Sequence, residues 1–213
     1  MEKKLRIGTR SSPLALKQVE EIIKKFSLKE FEIKTYNTKG DKDRETPVSD
    51  IEGSDFFTDA IDSALLKNEI ECAVHSAKDL PNVLPGSLKI ALITEPLDSS
   101  DVLVSKNNLK LSELPLNARI GASSIRRKEQ LKKFRSDFQI VNIRGNIEER
   151  LEKFERYGLD GMIVAACALI RLGLENKIVQ KIPFEILSPH PLQGSLAVVV
   201  RKNDYETEKI FKK

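Results

Sequence analysis

Cysteine is scarce in this chain: of 213 residues only Cys72 and Cys167 are thiols, and each sits in an apolar run. That placement fits reduced, buried thiols of a cytoplasmic protein better than a disulfide. Neither cysteine has a neighbour at metal-ligand spacing, so nothing supports metal dependence. Long apolar runs are missing too, since the longest, Met162 to Ile170, falls far short of a bilayer span. The opening residues, Met1-Glu2-Lys3-Lys4-Leu5-Arg6-Ile7-Gly8, contain no apolar core of a signal peptide. The expectation is a soluble, unexported protein. An excess of one charge is also lacking: 36 Lys and Arg against 32 Asp and Glu leave a net +4. Nucleic-acid binders usually carry a stronger basic excess or stripe, which makes DNA binding by the Arg126 to Arg135 segment a poor candidate. No Walker or dinucleotide fingerprint occurs, because Thr38-Lys39-Gly40-Asp41 lacks the required glycines and following helix. Internal repeats and low-complexity segments are missing as well.

What is present describes a globular chain, 40% hydrophobic and 32% charged. Its length suits one large domain or two of about 100 residues each, and two lobes are the better expectation. Pro13 to Phe26 places Ala15, Val19, Ile22, Ile23 and Phe26 on one helical face, with Ser12 as N-cap and Pro13 at the first helical position. Phe31 to Thr35 alternates as a strand, Phe57, Ile61, Ala64 and Leu65 give a second helix face, and Cys72 to Val74 reads as a central parallel strand. Between these lies Asn37 to Asp55, polar, broken by Gly40, Pro47 and Gly53, and long enough to read as a mobile lid. After strand Leu88 to Ile93, the stretch Thr94 to Ser100 is the expected crossover into a second lobe. There the alternation resumes: strand Val102 to Val104, strand Arg119 to Ala122, helix Ile125 to Phe134, strand Gln139 to Ile143, helix Ile147 to Tyr157, strand Met162 to Val164. Such βα alternation implies a mostly parallel sheet. The chain breaks again at Ser188 to Pro191, and Leu196 to Val200 is a strand that could return to the first lobe.

The chemistry sits where strands run into helix starts. Four such junctions are loaded with Arg, Lys or Ser: Arg6 to Pro13, Ala73 to Asp79, Ile120 to Arg127 and Val141 to Asn146. In α/β proteins ligands bind beyond the carboxyl ends of strands, where unpaired helix N–H groups favour anions. Ser123 and Ser124 followed by Arg126 and Arg127 combine a cap, a helix start and two cations, which suits a carboxylate or phosphate. A solvated helix face accounts for the arginines by themselves. Arg144 opens the next helix, Arg150 lies four residues after Asn146, and Arg171 follows an apolar segment. Asp79 differs, being an acid at an otherwise anion-binding strand end. Lys78 could hold it as a structural ion pair, or its carboxyl could donate or accept a proton or steady a developing cation. His75 and His190, as lone histidines, are expected to be packed or hydrogen-bonded rather than catalytic.

The segments Arg6 to Leu16 (RIGTRSSPLAL), Ala73 to Pro81 (AVHSAKDLP), Gly121 to Arg127 (GASSIRR), Ile143 to Asn146 (IRGN) through Arg150, and Arg171 to Leu174 (RLGL) resemble, in order and spacing, the porphobilinogen deaminase (hydroxymethylbilane synthase) family. The resemblance runs over nearly the whole chain. It implies an α/β fold of two lobes resembling type II periplasmic binding proteins, each a mostly parallel or mixed sheet flanked by helices, with an active-site crevice between them. Lobe 1 would be 1–99 plus 189–213 and lobe 2 would be 100–188. It also implies a transferase of tetrapyrrole (heme, porphyrin) biosynthesis that joins four porphobilinogen units, releasing ammonia each time, to make hydroxymethylbilane. Each pyrrole carries an acetate and a propionate, so every added unit brings two carboxylates for Arg, Lys and helix N-termini to hold. On this resemblance Asp79, beside Lys78, is the catalytic acid. Arg10, Ser12, Lys78, Ser123, Arg126, Arg127, Arg144, Arg150, Arg171 and Gln193 would hold the dipyrromethane cofactor and the growing chain.

Two departures stand beside the resemblance. Members of the family continue into a third domain whose cysteine forms a thioether to dipyrromethane, whereas this chain stops at Lys213 and neither Cys72 nor Cys167 matches that cysteine. The expectation is a shortened enzyme that holds its primer noncovalently or with a separate chain supplying the third domain. Where the family usually has Gly-Lys-Gly before its Phe, this chain has Gly53-Ser54-Asp55, and the usual Gly-Gln-Gly appears as Leu192-Gln193-Gly194. The alternative is a non-catalytic cytoplasmic binding module for a polycarboxylate or pyrrole ligand.

Overall fold

The computed structural model describes residues 4–43 and 53–212. These divide into two compact units, one of residues 4–43, 53–96 and 195–212, the other of residues 97–194. The divide falls between Pro96 and Leu97 and between Gly194 and Ser195, against expected boundaries at 99/100 and 188/189.

The first unit is built on a five-stranded sheet in the order β2-β1-β3-β10-β4. Its strands are β1 (Leu5–Arg10), β2 (Phe31–Tyr36), β3 (Cys72–Ser76), β4 (Leu88–Ile93) and β10 (Leu196–Arg201). β1 is parallel to β2 and β3, while β10 is antiparallel to β3 and β4. Period-two alternation decides which side chains face which layer. Leu196, Val198 and Val200 join Ile7, Cys72, Val74, Val19 and Ile22 on one face, whereas Val199 joins Ala73, Ile61, Ala64 and Leu65 on the other. Helix α1 (Pro13–Phe26) covers the first face and α3 (Asp59–Leu66) the second. The Ser12 hydroxyl accepts from the amide of Ala15, and Ser27 closes α1 in the left-handed conformation with Lys24 and Lys25 in the last turn. At Gly8 a Cβ would lie 2.2 Å from Ile70 Cδ1, so the absence of a side chain is what lets Ile70 pack onto β1.

The second unit has its own five-stranded sheet, β7-β6-β8-β5-β9. It comprises β5 (Asp101–Ser105), β6 (Arg119–Gly121), β7 (Gln139–Val141), β8 (Gly161–Ala165) and β9 (Gln180–Lys181). β6 is parallel to β7 and β8, and β5 is antiparallel to β8 and β9. Its core gathers Leu103, Ile120, Leu131, Phe138, Ile163, Ile182 and Leu187. The helices are α4 (Ile125–Phe134), α5 (Ile147–Arg156) and α6 (Ala166–Arg171).

The sheets are mixed, within the expected fold class; only the narrower reading of a mostly parallel sheet from βα alternation gives way, because β10 and β5 each run antiparallel to the two strands that flank them. βα alternation in sequence does not constrain the direction of a strand that arrives from far along the chain. The stretch Asn37 to Asp55 is not one uniform loop either. Its first part folds as a helical turn, α2 (Lys39–Lys42), where Asp41 and Thr38 form a capping box, and Asp55–Phe57 is a 3₁₀ turn. The lid reading for 44–52 lies outside the described residues.

Candidate functional site

In the first unit the candidate residues lie where β1 and β3 end. β1 passes through Arg10 into the N-terminus of α1, and β3 passes into a 3₁₀ turn, Ala77–Asp79. Gln18 of α1 donates to the Ser76 hydroxyl at 2.9 Å, and Thr9 donates to the Val74 carbonyl at 3.3 Å, so the two strand ends are tied together. Asp79 is half-buried, and among the described residues nothing forms a hydrogen bond or ion pair with its carboxylate. The structural ion pair to Lys78 does not form, and Lys78 has other partners.

Arg10 is engaged. Its guanidinium binds the Asp41 carboxylate through Nη2 and, at 3.2 Å to each oxygen, through Nε, and it lies 4.8 Å over the Phe57 ring. Asp41 also accepts from the Thr38 amide at 3.0 Å and the Thr38 hydroxyl at 2.8 Å. Burial alone would raise the Asp41 pKa, but Arg10 and the Thr38 donors outweigh it and hold the carboxyl below its ordinary value. His75 is buried beside this pair and its Nε2 has no partner among the described residues. Burial, with a smaller push from Arg10, lowers its pKa to about 4, so the imidazole is neutral near pH 7. His75 is packed, one of the two states expected for it.

In the second unit the candidates gather around one carboxylate that the sequence reading missed. Asp101, the first residue of β5, is fully buried. Its Oδ1 accepts from Arg127 Nη2 at 2.6 Å and from Gln193 Nε2 at 2.8 Å, and its Oδ2 accepts from Arg126 Nη2 at 2.8 Å. Burial pushes the Asp101 pKa up, and the two arginines more than reverse this, bringing it to about 2. Gln193 also donates to the carbonyls of Ser99 and Ser100, and Arg171 donates to the Gly194 carbonyl at 2.9 Å. Arg126 donates to the Ser188 carbonyl, while the Ser188 amide donates to Gln130 at 2.7 Å. A signal was available in the sequence: an acid opening an apolar strand, Asp101-Val102-Leu103-Val104, requires a buried cation.

The structure separates the two arginines. Arg127 is 6% exposed and Leu131, one turn on, is in the core, so this face of α4 is buried. Arg126 keeps 24% of its side chain exposed. Ser124, not Ser123, caps α4, accepting from the Arg127 amide, and Ser123 is buried with its hydroxyl donating to the Ile143 carbonyl. Arg150 donates through Nε to the Gly145 carbonyl at 2.7 Å, and the Arg144 carbonyl accepts from Lys153 at 2.6 Å.

The helix starts differ in what they can hold. α1 and α4 begin at serine caps with no acid in the first turn and a cation nearby, so they suit a carboxylate. The start of α5 is closed by its own capping box, Asn146 with Glu149, and carries Glu148 as well. Gly145, at φ +118°, lets Glu149 fold back, since a Cβ there would sit 2.3 Å from Glu149 Oε2. The buried Arg127 Nε has no acceptor among the described residues, one more unused donor beside the α4 start. This donor set fits a cofactor made of pyrroles bearing carboxylates. No group of His, Cys, Asp and Glu suited to a metal occurs among the described residues, and no described helix is long and apolar enough to cross a membrane.

These observations define a two-unit α/β protein with the fold of type II periplasmic binding proteins, with serine-capped helix starts and arginines at its strand ends. Among solved structures it is similar to the L-cystine solute receptor of Neisseria gonorrhoeae, with TM-score 0.50, 14% identity, and 98% of this chain and 83% of that one covered. It is also similar to the BvgS VFT2 domain of Bordetella pertussis, with TM-score 0.52, 11% identity, and coverage of 98% and 84%. At such identities the likeness shows the fold alone. Residues 5–209 match the family model described as porphobilinogen deaminase, dipyromethane cofactor binding domain. A porphobilinogen deaminase of Chlorobium phaeovibrioides is 41% identical over 216 residues, covering all of this chain and 69% of the relative. That of Natranaerobius thermophilus is 42% identical over 206 residues, covering 94% of this chain and 66% of the relative. The chain belongs to the porphobilinogen deaminase family, transferases of tetrapyrrole biosynthesis that carry a dipyrromethane cofactor.

Proposed function

We propose that the chain catalyses the deaminating condensation of porphobilinogen, with Asp79 as the acid. The observation that carries this reading is the Asp79 carboxylate. It is half-buried at the carboxyl end of the central strand β3 and unpartnered among the described residues, while Asp41 and Asp101 are each held by arginine. Loss of ammonia from the aminomethyl group leaves positive charge shared with the pyrrole nitrogen. A carboxylate held at that N–H stabilises the cation, and its protonated form delivers the proton that the departing amine needs. When bound, dipyrromethane supplies the pyrrole carbon to which the first unit is joined. In the first unit the α1 start at Ser12, with Arg10 and Lys78, binds carboxylates. In the second unit Arg126 and the α4 start do the same, with Arg144, Arg150 and Arg171 adding positive field. Ser123, Arg127 and Gln193 keep these groups in place from inside the unit. Cys72 and Cys167, both buried and not joined in a disulfide, suit a reducing, cytoplasmic setting.

Asp79→Ala is expected to abolish ammonia release from porphobilinogen, measured with added dipyrromethane, while porphobilinogen binding survives. Turnover near the wild-type rate in that variant would remove Asp79 from the mechanism.

A further inference from the structure

Asp101 is buried away from solvent, yet one of the groups it holds is Arg126, the partly exposed arginine assigned above to carboxylate binding. Its two oxygens divide their work. Oδ1 takes the buried Arg127 and Gln193, both of which are held on other sides: Arg127 by the Ile163 carbonyl at 3.5 Å, and Gln193 by the Ser99 and Ser100 carbonyls. Oδ2 takes Arg126 alone among the described residues. The charge of Asp101 is therefore balanced by its buried partner Arg127, and the second bond fixes Arg126 while the cluster keeps a net positive charge. The Ser188 carbonyl fixes the other terminal nitrogen of Arg126. Two of the guanidinium's five N–H groups are thus spent on orientation. The rest have no partner among the described residues, on a side chain that is 24% exposed.

We propose that Asp101 is a positioning residue. It acts through Arg126, aiming the remaining guanidinium N–H groups at a ligand carboxylate, and Arg127 serves as the counter-charge that makes a buried carboxylate tolerable. The inference rests on the reading that Arg126 binds pyrrole carboxylates. A long arginine left unanchored loses rotamer freedom each time it binds, whereas one already fixed at two nitrogens does not. A hydrophobic contact at position 101 would supply no such anchor.

The test is a double-mutant cycle read by calorimetric binding of a pyrrole bearing one acetate and one propionate but no aminomethyl group, a probe that cannot be deaminated. D101N/R127Q replaces the buried ion pair by a neutral hydrogen-bonded pair, so cooperative melting is retained, while its Kd for the probe rises about tenfold, the loss of one charge-assisted hydrogen bond. R126Q alone raises the Kd by a similar factor, and adding R126Q to D101N/R127Q raises it no further. If D101N/R127Q melts cooperatively and binds the probe like wild type, or if the R126Q loss adds in full on top of it, Asp101 has only a structural role and the inference is overturned while the binding role of Arg126 stands. If R126Q alone leaves the Kd unchanged, the carboxylate-binding role of Arg126 fails and takes the inference with it. Should D101N/R127Q not melt cooperatively, the isosteric Asp101→Asn variant takes its place in the cycle, with the same pattern expected and the same results decisive against it.

Discussion

His75 and the carboxylates Asp41 and Asp101 respond to acid in different pH windows. His75 is neutral when folded and has a pKa near 4, against about 6.5 in an unfolded chain. Between those values the unfolded state binds a proton that the folded state refuses, so stability falls as pH drops from about 6.5 to 4. A fully buried group shifted this far contributes on the order of 3 kcal/mol to that fall. His75→Gln is expected to flatten this part of the curve in urea unfolding measured at stepped pH; an unchanged slope would mean that His75 gains its proton without unfolding. The carboxylates act in the same direction but in a lower pH window. Their folded pKa values are depressed, so their contribution is complete above the ordinary carboxylate range and is lost as pH falls through the folded value, for Asp101 about 2. Removing Asp101 as Asp101→Ala leaves Arg127 buried without its counter-ion, a loss of about 3–5 kcal/mol. Of the residues expected at the site, Asp79 was legible because an acid stands out in a basic strand end. Asp101 also carried a signal, an acid opening an apolar strand, but its partners and the pairing of Asp41 were not legible, because a residue's partner is fixed only when distant segments meet.

The helices were the best-signalled elements. α1 runs from Pro13 to Phe26 and α4 from Ile125 to Phe134, matching the bounds expected from caps and apolar spacing, because both signals are local in sequence. α4 is nevertheless short of apolar residues and depends on Leu131 and the Arg127 ion pair to hold it down. Ser124→Ala is expected to cost about 1 kcal/mol by freeing the Arg127 amide. Leu131→Ala should cost about 2–5 kcal/mol, since Leu131 is fully buried against Ile120 and Phe138. Both are read from denaturant midpoints, and a larger loss for the cap than for the core residue would contradict this account of α4. α5 shows the limit of a motif. Arg144, Gly145 and Asn146 read as an anion-binding start, but Glu149 occupies the cap and the acids of the first turn oppose an anion there.

The two units differ in how the chain builds them. Residues 97–194 are continuous and contain every strand of the second sheet, whereas the first sheet is completed only when β10 arrives from the far end of the unit's sequence. A fragment of residues 97–194 is expected to fold alone, with dispersed amide signals and a cooperative melt. Truncation after Gly194 is expected to leave the first unit unfolded, because β3 and β4 would lose the strand that pairs with both. Limited proteolysis of the truncated chain should digest 4–96 and spare 97–194; protection of both would show that β10 is dispensable.

Composition and local pattern were sufficient to determine the α/β class, most strand and helix positions and the gathering of Ser, Arg and Lys at the strand ends. Each depends on neighbours within a few residues, on spacing, caps and breakers. Only the tertiary structure decided that the sheets are mixed, that Arg10 pairs with Asp41, and that Arg127 is buried while Arg126 keeps an exposed edge. Strand direction and ion pairing depend on segments brought together from far apart. The 25 or more positions that separate Asp101 from Arg126, Arg127 and Gln193 carry no local pattern to announce their meeting.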